Sequence, residues 1–186
     1  MSNNWEMVIG LEVHAQLKTT SKLFSSSPNL FGSEPNENVN FIDSGMPGML
    51  PVLNWACIEK AIKTGFALNF TINKHSVFER KNYFYPDLPQ GYQISQFEFP
   101  ILSEGYLDID QPDGSTKKIR IERAHLEQDA GKSIHDIDPK FSFIDLNRVG
   151  TPLLEIVSYP DLSSAEDVVN YMSSLRQTLM YIDVCD

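Results

Sequence analysis

Cysteine, long apolar runs and basic residues are all scarce in this chain. Its two cysteines, Cys57 and Cys185, lie far apart and belong to no Cys-x-x-Cys pair, so we expect two reduced thiols, as in most cytoplasmic proteins. No apolar run approaches the length needed to span a membrane. Residues 1–6 also lack the basic and apolar segments of a targeting peptide. These absences predict a cytoplasmic protein with no membrane contact.

The shortage of basic residues bears on the class of partner. Lysine and arginine number 15 against 25 acidic residues, which gives the 186-residue chain a formal net charge of -10. A free-standing nucleic-acid-binding module usually carries a basic face, so this class is disfavoured, although RNA contact through a local patch stays compatible with the charge. The length fits one domain, and 41% hydrophobic and 22% charged residues are ordinary for a globular protein.

Residues 6–18 alternate between apolar and polar side chains, which predicts a half-buried strand. The apolar face would consist of Met7, Ile9, Leu11, Val13, Ala15 and Leu17. Glu12 and His14 fall on the other face and project together away from the core. A carboxylate beside an imidazole can hold a divalent cation or relay a proton. From spacing alone, an exposed strand with a casual Glu-His pair is the favoured interpretation.

Two helices are predicted in the rest of the chain. Asn54 can cap the first, and the spacing of Ser163 and Glu166 is typical of a capping box before the second. The expected apolar stripes are Trp55, Ile58, Ile62 and Phe66 in the first helix, and Val168, Met172, Leu175, Leu179 and Ile182 in the second. Residues 25–51 are rich in Ser, Asn, Pro and Gly and are predicted to be irregular.

Short strands occupy most of the remaining sequence. They are predicted within residues 76–99, at 105–110 and 117–128 around an Asp113-Gly114 hairpin turn, near 141–147 and at 152–158. Strands in the first and middle parts of the chain with two separate helices indicate an α+β domain with a mainly antiparallel sheet.

A second group of polar side chains lies near the end of the predicted hairpin. A strand that ends near Asp129 would place His125, Glu127 and Asp129 on one face. Two strands that offer Glu12, His14 and Glu127 toward one cleft would form a mixed carboxylate-imidazole site. Oxygen-rich sites of this kind suit Mg²⁺ that bridges the phosphates of ATP.

Two further features are compatible with phosphate contact. Residues 79–87 mix cations with aromatic side chains, which suits a phosphate or a stacked base, although exposed strands often show the same mixture. Arg148 offers a planar fork for a phosphate or a carboxylate. Its alternative role is a structural ion pair with Asp145 or Glu155.

Five motifs in a fixed order give the chain a family resemblance. They are residues 8–14 (VIGLEVH), 80–87 (RKNYFYPD), 92–97 (YQISQF), 125–133 (HLEQDAGKS) and 144–156 (IDLNRVGTPLLEI). Together they resemble the B subunit of the tRNA-dependent amidotransferase GatCAB over essentially the whole chain. The resemblance implies that residues 1–186 form the N-terminal catalytic domain, a cradle related in fold to glutamine synthetase and guanidino kinases. The family's subunit is longer, so its C-terminal helical and tail domains, which are associated with tRNA binding, are expected to be absent.

The resemblance also implies an activity and its partners. In this family ATP and Mg²⁺ serve to phosphorylate the side-chain carboxylate of Glu-tRNA(Gln), Asp-tRNA(Asn) or both, and ammonia from the A subunit then forms the amide. The expected partners are the A and C subunits of the heterotrimer and the acceptor end of the tRNA. The alternative is a binding or assembly fragment with no activity of its own, because the family's cleft can depend on residues beyond Asp186.

The resemblance and the residue patterns described above together imply roles for seven side chains. The expected metal ligands are Glu12, His14 and Glu127, which act in catalysis together with Lys81. The side chains expected near the nucleotide or the substrate are Lys81, Asn82, Tyr83 and Arg148.

Two departures from the family pattern affect these expectations. Many members have a second glutamate where this chain has Gln128, and the choice of Glu127 as ligand fails if that second acid is the true ligand. Many members also have Cys-x-x-Cys-like pairs, consistent with zinc, in the region of residues 24–46, where this chain has no cysteine. Zinc prefers thiolate or imidazole ligands, so no zinc is expected. Turns and the packing of Phe24, Phe31 and Phe41 would hold the loop instead.

Overall fold

The computed structural model of the chain describes residues 5–186. The prediction that residues 1–6 hold no targeting segment falls mostly on residues 1–4, which lie outside the described residues. The strands are β1 (Glu12–Gln16), β2 (Thr71–Ile72), β3 (Glu79–Asn82), β4 (Tyr92–Ser95), β5 (Leu102–Asp110), β6 (Thr116–Gln128), β7 (Lys132–Asp138), β8 (Phe141–Asp145) and β9 (Pro152–Ser158), and the helices are α1 (Trp55–Ala67) and α2 (Ala165–Tyr181).

The centre of the fold is a five-stranded antiparallel sheet in the order β1-β9-β6-β5-β2. Two separate hairpins, β3 with β4 and β7 with β8, lie outside it. Both helices contact β5, and the core includes Ala124 and Leu126 of β6 together with Leu154 and Ile156 of β9. The prediction of an α+β domain with a mainly antiparallel sheet is confirmed. Within residues 5–186, neither helix is long and apolar enough to cross a bilayer.

Several predicted strands are confirmed with small changes at their ends. The hairpin around Asp113-Gly114 joins β5 and β6, and β9 covers the predicted residues 152–158. The strand predicted near residues 141–147 is β8, which ends two residues earlier. Residues 25–51 contain no helix or strand, as predicted, and only Pro28 takes part in an isolated bridge, with Ser21.

The first strand, β1, is shorter than the residues 6–18 predicted from alternation. Upstream of it, Ile9 forms only an isolated bridge with Leu162. The neighbouring strand β9 ends at Ser158, whose hydroxyl accepts the N–H of Leu11 at 2.8 Å. The predicted length was wrong because the alternating pattern continues beyond the end of the ladder that supports it.

Helix α1 begins after Asn54, whose side chain caps it as predicted. Of the predicted apolar stripe, Ile58 packs against the core, but the two aromatic residues do not. Trp55 and Phe66 are 66% and 76% exposed. The buried residues of the helix are Cys57, Ala61, Thr64 and Gly65. A Cβ at Gly65 would lie 2.7 Å from Leu102 Cδ2 of β5. The small face is the buried one because the helix approaches the sheet closely, which larger side chains would prevent.

Helix α2 begins one residue later than the predicted capping box. Ser164, not Ser163, accepts the N–H of Asp167 at 3.0 Å, and the carboxylate of Asp167 accepts the N–H of Ser163 at 3.0 Å. The predicted capping box is therefore only partly present: Ser164 caps the helix, but the acid is Asp167 instead of Glu166 and it accepts from Ser163, the residue before the cap. The buried residues are Asp167, Tyr171, Leu175 and Leu179, whereas Met172 of the predicted stripe is 39% exposed.

The cap of α2 predicts an acid-sensitive contribution to stability. Lys117 Nζ lies 2.7 Å from Asp167 Oδ2, and this hydrogen bond holds the pKa of Asp167 below its usual range. A carboxyl whose pKa is depressed on folding stabilises the protein above its unfolded pKa, and this stabilisation is lost as pH falls toward the folded pKa. We expect Asp167→Asn to lower the free energy of unfolding by roughly 2 kcal/mol at neutral pH, the scale of a hydrogen bond to a charged group, and by less in acid.

Urea unfolding at neutral and acid pH measures this difference. The matched control is Asp108→Asn, because Asp108 lies exposed in β5 and forms no ion pair with any residue of 5–186. A loss in Asp167→Asn that is the same at both pH values contradicts the assignment to ionisation.

The loop of residues 21–46 is held by a buried ion pair, not by the predicted packing of three phenylalanines. Phe24 is buried, but Phe31 and Phe41 are 101% and 67% exposed. Lys22 Nζ, fully buried, lies 3.3 Å from Asp43 Oδ2. The predicted packing is confirmed for Phe24 and wrong for Phe31 and Phe41, because aromatic residues in an irregular segment have no periodicity that says which of them face inward.

Candidate metal centre

Three neighbouring strands of the central sheet place polar side chains in one cross-strand row. His14 of β1 lies opposite Glu155 of β9, and Glu155 lies opposite His125 of β6. Glu127 stands two residues beyond His125 on the same strand, so both side chains share a face. Leu126, the residue between them, belongs to the core on the other face. The register of β1, β9 and β6 therefore assembles the site from segments far apart in sequence.

The row brings three potential metal ligands together. His14 Nε2 lies 2.9 Å from Glu127 Oε1 and 3.5 Å from Glu155 Oε2. One ligand atom from each of these three residues lies within 4.8 Å of the other two. The side chains of Glu127 and Glu155 are only 9% and 14% exposed, whereas that of His14 is 46% exposed. Among residues 5–186, this is the group of three or more His, Cys, Asp or Glu side chains whose ligand atoms lie close enough together to hold one metal ion.

The two carboxyl groups of the cluster have opposite pKa shifts. Burial, followed by the negative charge of Glu155, raises the pKa of Glu127. A hydrogen bond from His125, at 3.0 Å between Nε2 and Oε2, lowers the pKa of Glu155. Glu155 is therefore the more acidic of the two carboxyl groups, and the charged form of Glu127 is disfavoured by burial and by the neighbouring negative charge.

The donor set fits a hard divalent cation. Two carboxylates and one imidazole are ligands that Mg²⁺ and Mn²⁺ accept. A cation between the three groups would offset the repulsion between Glu127 and Glu155 that burial makes costly. His125 adds the outer contact that orients a ligating carboxylate in many metal sites, since it holds Glu155 from the side away from His14.

A cleft of about 390 Å³ opens beside the cluster. It is lined by Glu12, Glu79, Arg80, Lys81, Ser95, Gln96, Phe97, Arg123, His125, Glu127 and Glu155. Strands β3 and β4 thus form the wall that faces the metal cluster. A larger groove of about 680 Å³ lies between β1 and α2, and only His14 of the cluster borders it. The smaller cleft is the candidate site because two of the three clustered ligands, Glu127 and Glu155, line it.

The structure brings together two of the three predicted metal ligands. His14 and Glu127 are in contact. Glu12 lines the cleft but stands outside the group of ligand atoms. In its place is Glu155, which the sequence interpretation considered only as an ion-pair partner of Arg148. The missed signal is that Glu155 is the one charged residue in the apolar strand β9, where a lone carboxylate needs a partner.

Gln128 does not belong to the cluster. Its side chain is buried and donates from Nε2 to Gln90 Oε1 at 2.9 Å. Gln128 thus contacts the loop between β3 and β4 and is not among the ligand atoms that meet at His14, in agreement with the alternation that places Glu127 beside His125. The prediction that Gln128 points away from the Glu127 face is confirmed.

Arg148 has a different partner from either of those predicted. Its Nε lies 3.3 Å from Asp129 Oδ2, and it donates to the carbonyl oxygens of Ala130 at 2.9 Å and Gly131 at 2.7 Å. The predicted ion pair with Asp145 or Glu155 was wrong, because β6 ends at Gln128 and Asp129 turns toward Arg148. The guanidinium thereby stabilises the loop between β6 and β7 through contacts with all three of its residues.

The predicted nucleotide-contact residues divide into two groups. Lys81 lines the cleft with an exposed side chain. Asn82 and Tyr83 continue the same segment but are not among the residues that line it. Burial raises the pKa of the Tyr83 phenol, with nearby acids adding to the shift. Lys81 is therefore the member of this segment placed to meet an anion in the cleft.

Residues 7–186 match the family model described as the GatB/GatE catalytic domain. Among curated proteins, the chain is 60% identical over 185 residues to the B subunit of the aspartyl/glutamyl-tRNA(Asn/Gln) amidotransferase of Paramagnetospirillum magneticum, a match that covers 100% of this chain and 38% of the relative. The corresponding B subunit of Dinoroseobacter shibae is 59% identical over 183 residues, with 98% and 36% covered. For Caulobacter vibrioides the values are 57% over 185 residues, with 100% and 37% covered. The chain thus spans little more than a third of these relatives' length.

Proposed function

Because the chain belongs to the family of the GatB/GatE catalytic domain, we propose that it carries the site at which ATP activates the side-chain carboxylate of Glu-tRNA(Gln), Asp-tRNA(Asn) or both for amidation. The observation that carries this proposal is the cluster of His14, Glu127 and Glu155 at the edge of the cleft. The relatives share a name, the B subunit of the aspartyl/glutamyl-tRNA(Asn/Gln) amidotransferase, and that name supplies the substrate class.

The chemistry explains why such a site is needed. A carboxylate is a poor electrophile, and its oxygen is a poor leaving group. Transfer of a phosphoryl group to that oxygen makes it a good leaving group, and ammonia then forms the amide as phosphate departs. A divalent cation, when bound, would offset the negative charge of the phosphoryl group during transfer.

The residues of the chain have separable tasks in this proposal. His14, Glu127 and Glu155 hold the cation, and His125 keeps Glu155 in position through the 3.0 Å contact. Lys81 meets phosphate oxygens as a point charge from the opposite wall of the cleft. Glu12 remains a proposed ligand of a further ion in the same cleft. Asn82, Tyr83 and Arg148 are proposed to support the nucleotide or substrate from outside the lining residues.

The proposal extends to the setting of the reaction. It includes ATP and Mg²⁺ as cofactors without zinc, the A and C subunits of the amidotransferase as partners, and the acceptor end of the tRNA. It also includes a cytoplasmic location and a cradle fold related to glutamine synthetase and guanidino kinases. In this proposal the chain is the N-terminal catalytic domain of a longer subunit, as the coverage of its relatives suggests.

A second candidate function is a binding or assembly role without activity. The observation that favours it is the exposure of large apolar side chains on α1 and in the segment before it. These are Leu50, Val52, Trp55 and Phe66, each more than half exposed. Contiguous exposed apolar surface marks interaction sites in many proteins.

Titration of a nonhydrolysable ATP analogue distinguishes the two candidates. We expect saturable binding to the chain in the presence of Mg²⁺ and loss of that binding in excess EDTA, because the cluster supplies the ligands through which the nucleotide is held. Calorimetry measures both, first with the chain alone and then with the A and C subunits present. A chain that co-elutes with these two subunits yet binds no nucleotide in either state contradicts the catalytic proposal and supports the assembly role.

A further inference from the structure

Strand β6 contains an irregularity that changes which side chains face the cleft. Ile121 is fully buried in the core, and in a regular strand Arg123 would share its face. The ladder with β9 shifts register between these two residues, so that Glu122 is the extra residue of a β-bulge. After the bulge, Ala124 and Leu126 take over the core positions. The bulge thereby turns Arg123 into the cleft beside His125, as bulges near functional sites often do.

The guanidinium of Arg123 has an unpaired edge. Its Nη1 donates to Glu122 Oε1 at 2.8 Å. Its Nε is buried and has no hydrogen-bond partner within the described part of the chain. Buried N–H groups without an acceptor are rare in folded proteins, and each calls for an explanation. An acceptor that is not part of residues 5–186 is one such explanation.

In two other arginines, the edge of the guanidinium formed by Nε and Nη2 donates to two oxygen atoms. Arg120, on the same strand, donates from Nε and Nη2 to the two oxygens of Asp161 at 2.8 and 2.7 Å. Arg148 uses the same pair of nitrogens for two carbonyl oxygens. The edge formed by Nε and Nη2 is thus filled by a pair of oxygens in both cases. Arg123 lines the cleft, and within the described part of the chain its Nε and Nη2 have no such pair of oxygens.

The surroundings of Arg123 favour an anion over a neutral acceptor. The ring of Phe97 lies over the guanidinium, with 5.8 Å from Cζ to the ring centroid, and the side chain of Arg123 is 20% exposed. A charge-assisted hydrogen bond is stronger in such a place than in bulk solvent. Four acids line the cleft, and the two that belong to the metal cluster have other contacts: Glu155 with His125 and His14, and Glu127 with His14.

We propose that the Nε–Nη2 edge of Arg123 binds an oxyanion of a phosphoryl group held beside the metal cluster. This inference rests on the proposed function and adds the residue that receives the phosphoryl group. Arginine is suited to the task because its planar fork matches two oxygens of one phosphoryl group. The cation at His14, Glu127 and Glu155 and the arginine would then meet the group from two sides.

The experiment separates anion binding from metal binding. Arg123→Gln removes the charge and the fork, Arg123→Lys keeps the charge alone, and Arg120→Gln is the matched control on the same strand, outside the cleft lining. Mn²⁺ binding is measured by electron paramagnetic resonance. Binding of inorganic pyrophosphate and of a nonhydrolysable ATP analogue, with Mg²⁺ saturating, is measured by calorimetry. Far-UV circular dichroism verifies that each variant is folded.

We expect Arg123→Gln to weaken pyrophosphate binding by about 10- to 100-fold and to leave the Mn²⁺ affinity within about twofold of wild type, since Arg123 is not a ligand. Arg123→Lys restores only part of the loss, and Arg120→Gln behaves like wild type. An equal loss for the ATP analogue assigns the site to nucleotide phosphates. A loss confined to pyrophosphate assigns the site to inorganic phosphate groups that are not part of a nucleotide.

Two results would overturn the inference. One is unchanged pyrophosphate and nucleotide binding in Arg123→Gln. The other is a parallel loss of Mn²⁺ and pyrophosphate binding, because Arg123 would then act only through the metal ligands. If wild type binds no Mn²⁺, the metal site of the proposed function fails, and pyrophosphate titration in EDTA tests Arg123 by itself.

Discussion

Glu155→Gln is expected to lower the affinity of the cluster of His14, Glu127 and Glu155 for Mn²⁺ by about a hundredfold or more, whereas Glu12→Gln lowers the affinity of this cluster by about fivefold or less. Loss of an outer contact alone costs roughly 10- to 100-fold in metal affinity, so loss of a ligand should lie at or above the upper end of that range. Glu155 supplies one of the three clustered ligand atoms, and Glu12 does not. An exposed charge outside the cluster acts only through a screened field.

The two glutamates form a matched pair for this measurement. Both lie on the cleft face of neighbouring strands, and both changes remove one negative charge. Mn²⁺ titration followed by electron paramagnetic resonance gives the two affinities directly, and His14→Ala serves as the positive control. Equal losses in Glu12→Gln and Glu155→Gln would contradict the three-group cluster and would make Glu12 a ligand in its own right.

The site was only partly predictable from sequence, and the reason is the register between strands. Alternation correctly placed Glu127 and His125 on one face of β6, and the family motifs singled out His14. The partner that completes the cluster is Glu155, which lies opposite His14 although the two are 141 residues apart in the chain. A pattern within one strand states which face a residue occupies, but it does not state which distant strand lies beside it.

Helix α1 shows a related limit of prediction from sequence. Periodicity selected the large apolar residues Trp55 and Phe66 for the core, yet both are exposed and Gly65 is buried. The buried face is decided by how closely the helix can approach β5, which is a property of the assembled sheet. The bulge at Glu122 was equally unpredictable from sequence, because it depends on the register with β9. It changes which residues of β6 face the core, although nothing in the sequence interrupts the strand.

The other large effect is expected at the buried ion pair of the irregular loop. We expect Asp43→Ala to lower the free energy of unfolding by about 3–5 kcal/mol, the range found when one partner of a buried pair is removed. Asp43 accepts hydrogen bonds from Ser25 at 2.8 Å and Ser27 at 2.6 Å. Its removal therefore leaves two hydroxyl donors as well as the ammonium of Lys22 without their acceptor.

The pH dependence of this loss identifies its cause. Burial lowers the pKa of Lys22, and the charge of Asp43 opposes that shift. Without Asp43 the folded pKa falls further below the unfolded pKa, so the unfolded state binds more protons and stability rises with pH. Urea unfolding should show the destabilisation of Asp43→Ala shrinking as the pH is raised toward the ordinary pKa of lysine.

The double variant Lys22→Met, Asp43→Leu tests whether the ion pair stabilises the fold, or whether the loss in Asp43→Ala arises only because one buried charge is left unpaired. Replacement of a buried ion pair by apolar side chains of similar size is often neutral or stabilising, so we expect the double variant to recover most of the loss seen in Asp43→Ala. Lys22 Nζ also donates to the carbonyl oxygen of Asn38 at 2.7 Å, and that contact is not restored by methionine. A double variant as unstable as Asp43→Ala would show that the polar contacts to Asn38, Ser25 and Ser27, and not the unpaired charge, hold residues 21–46 against the sheet.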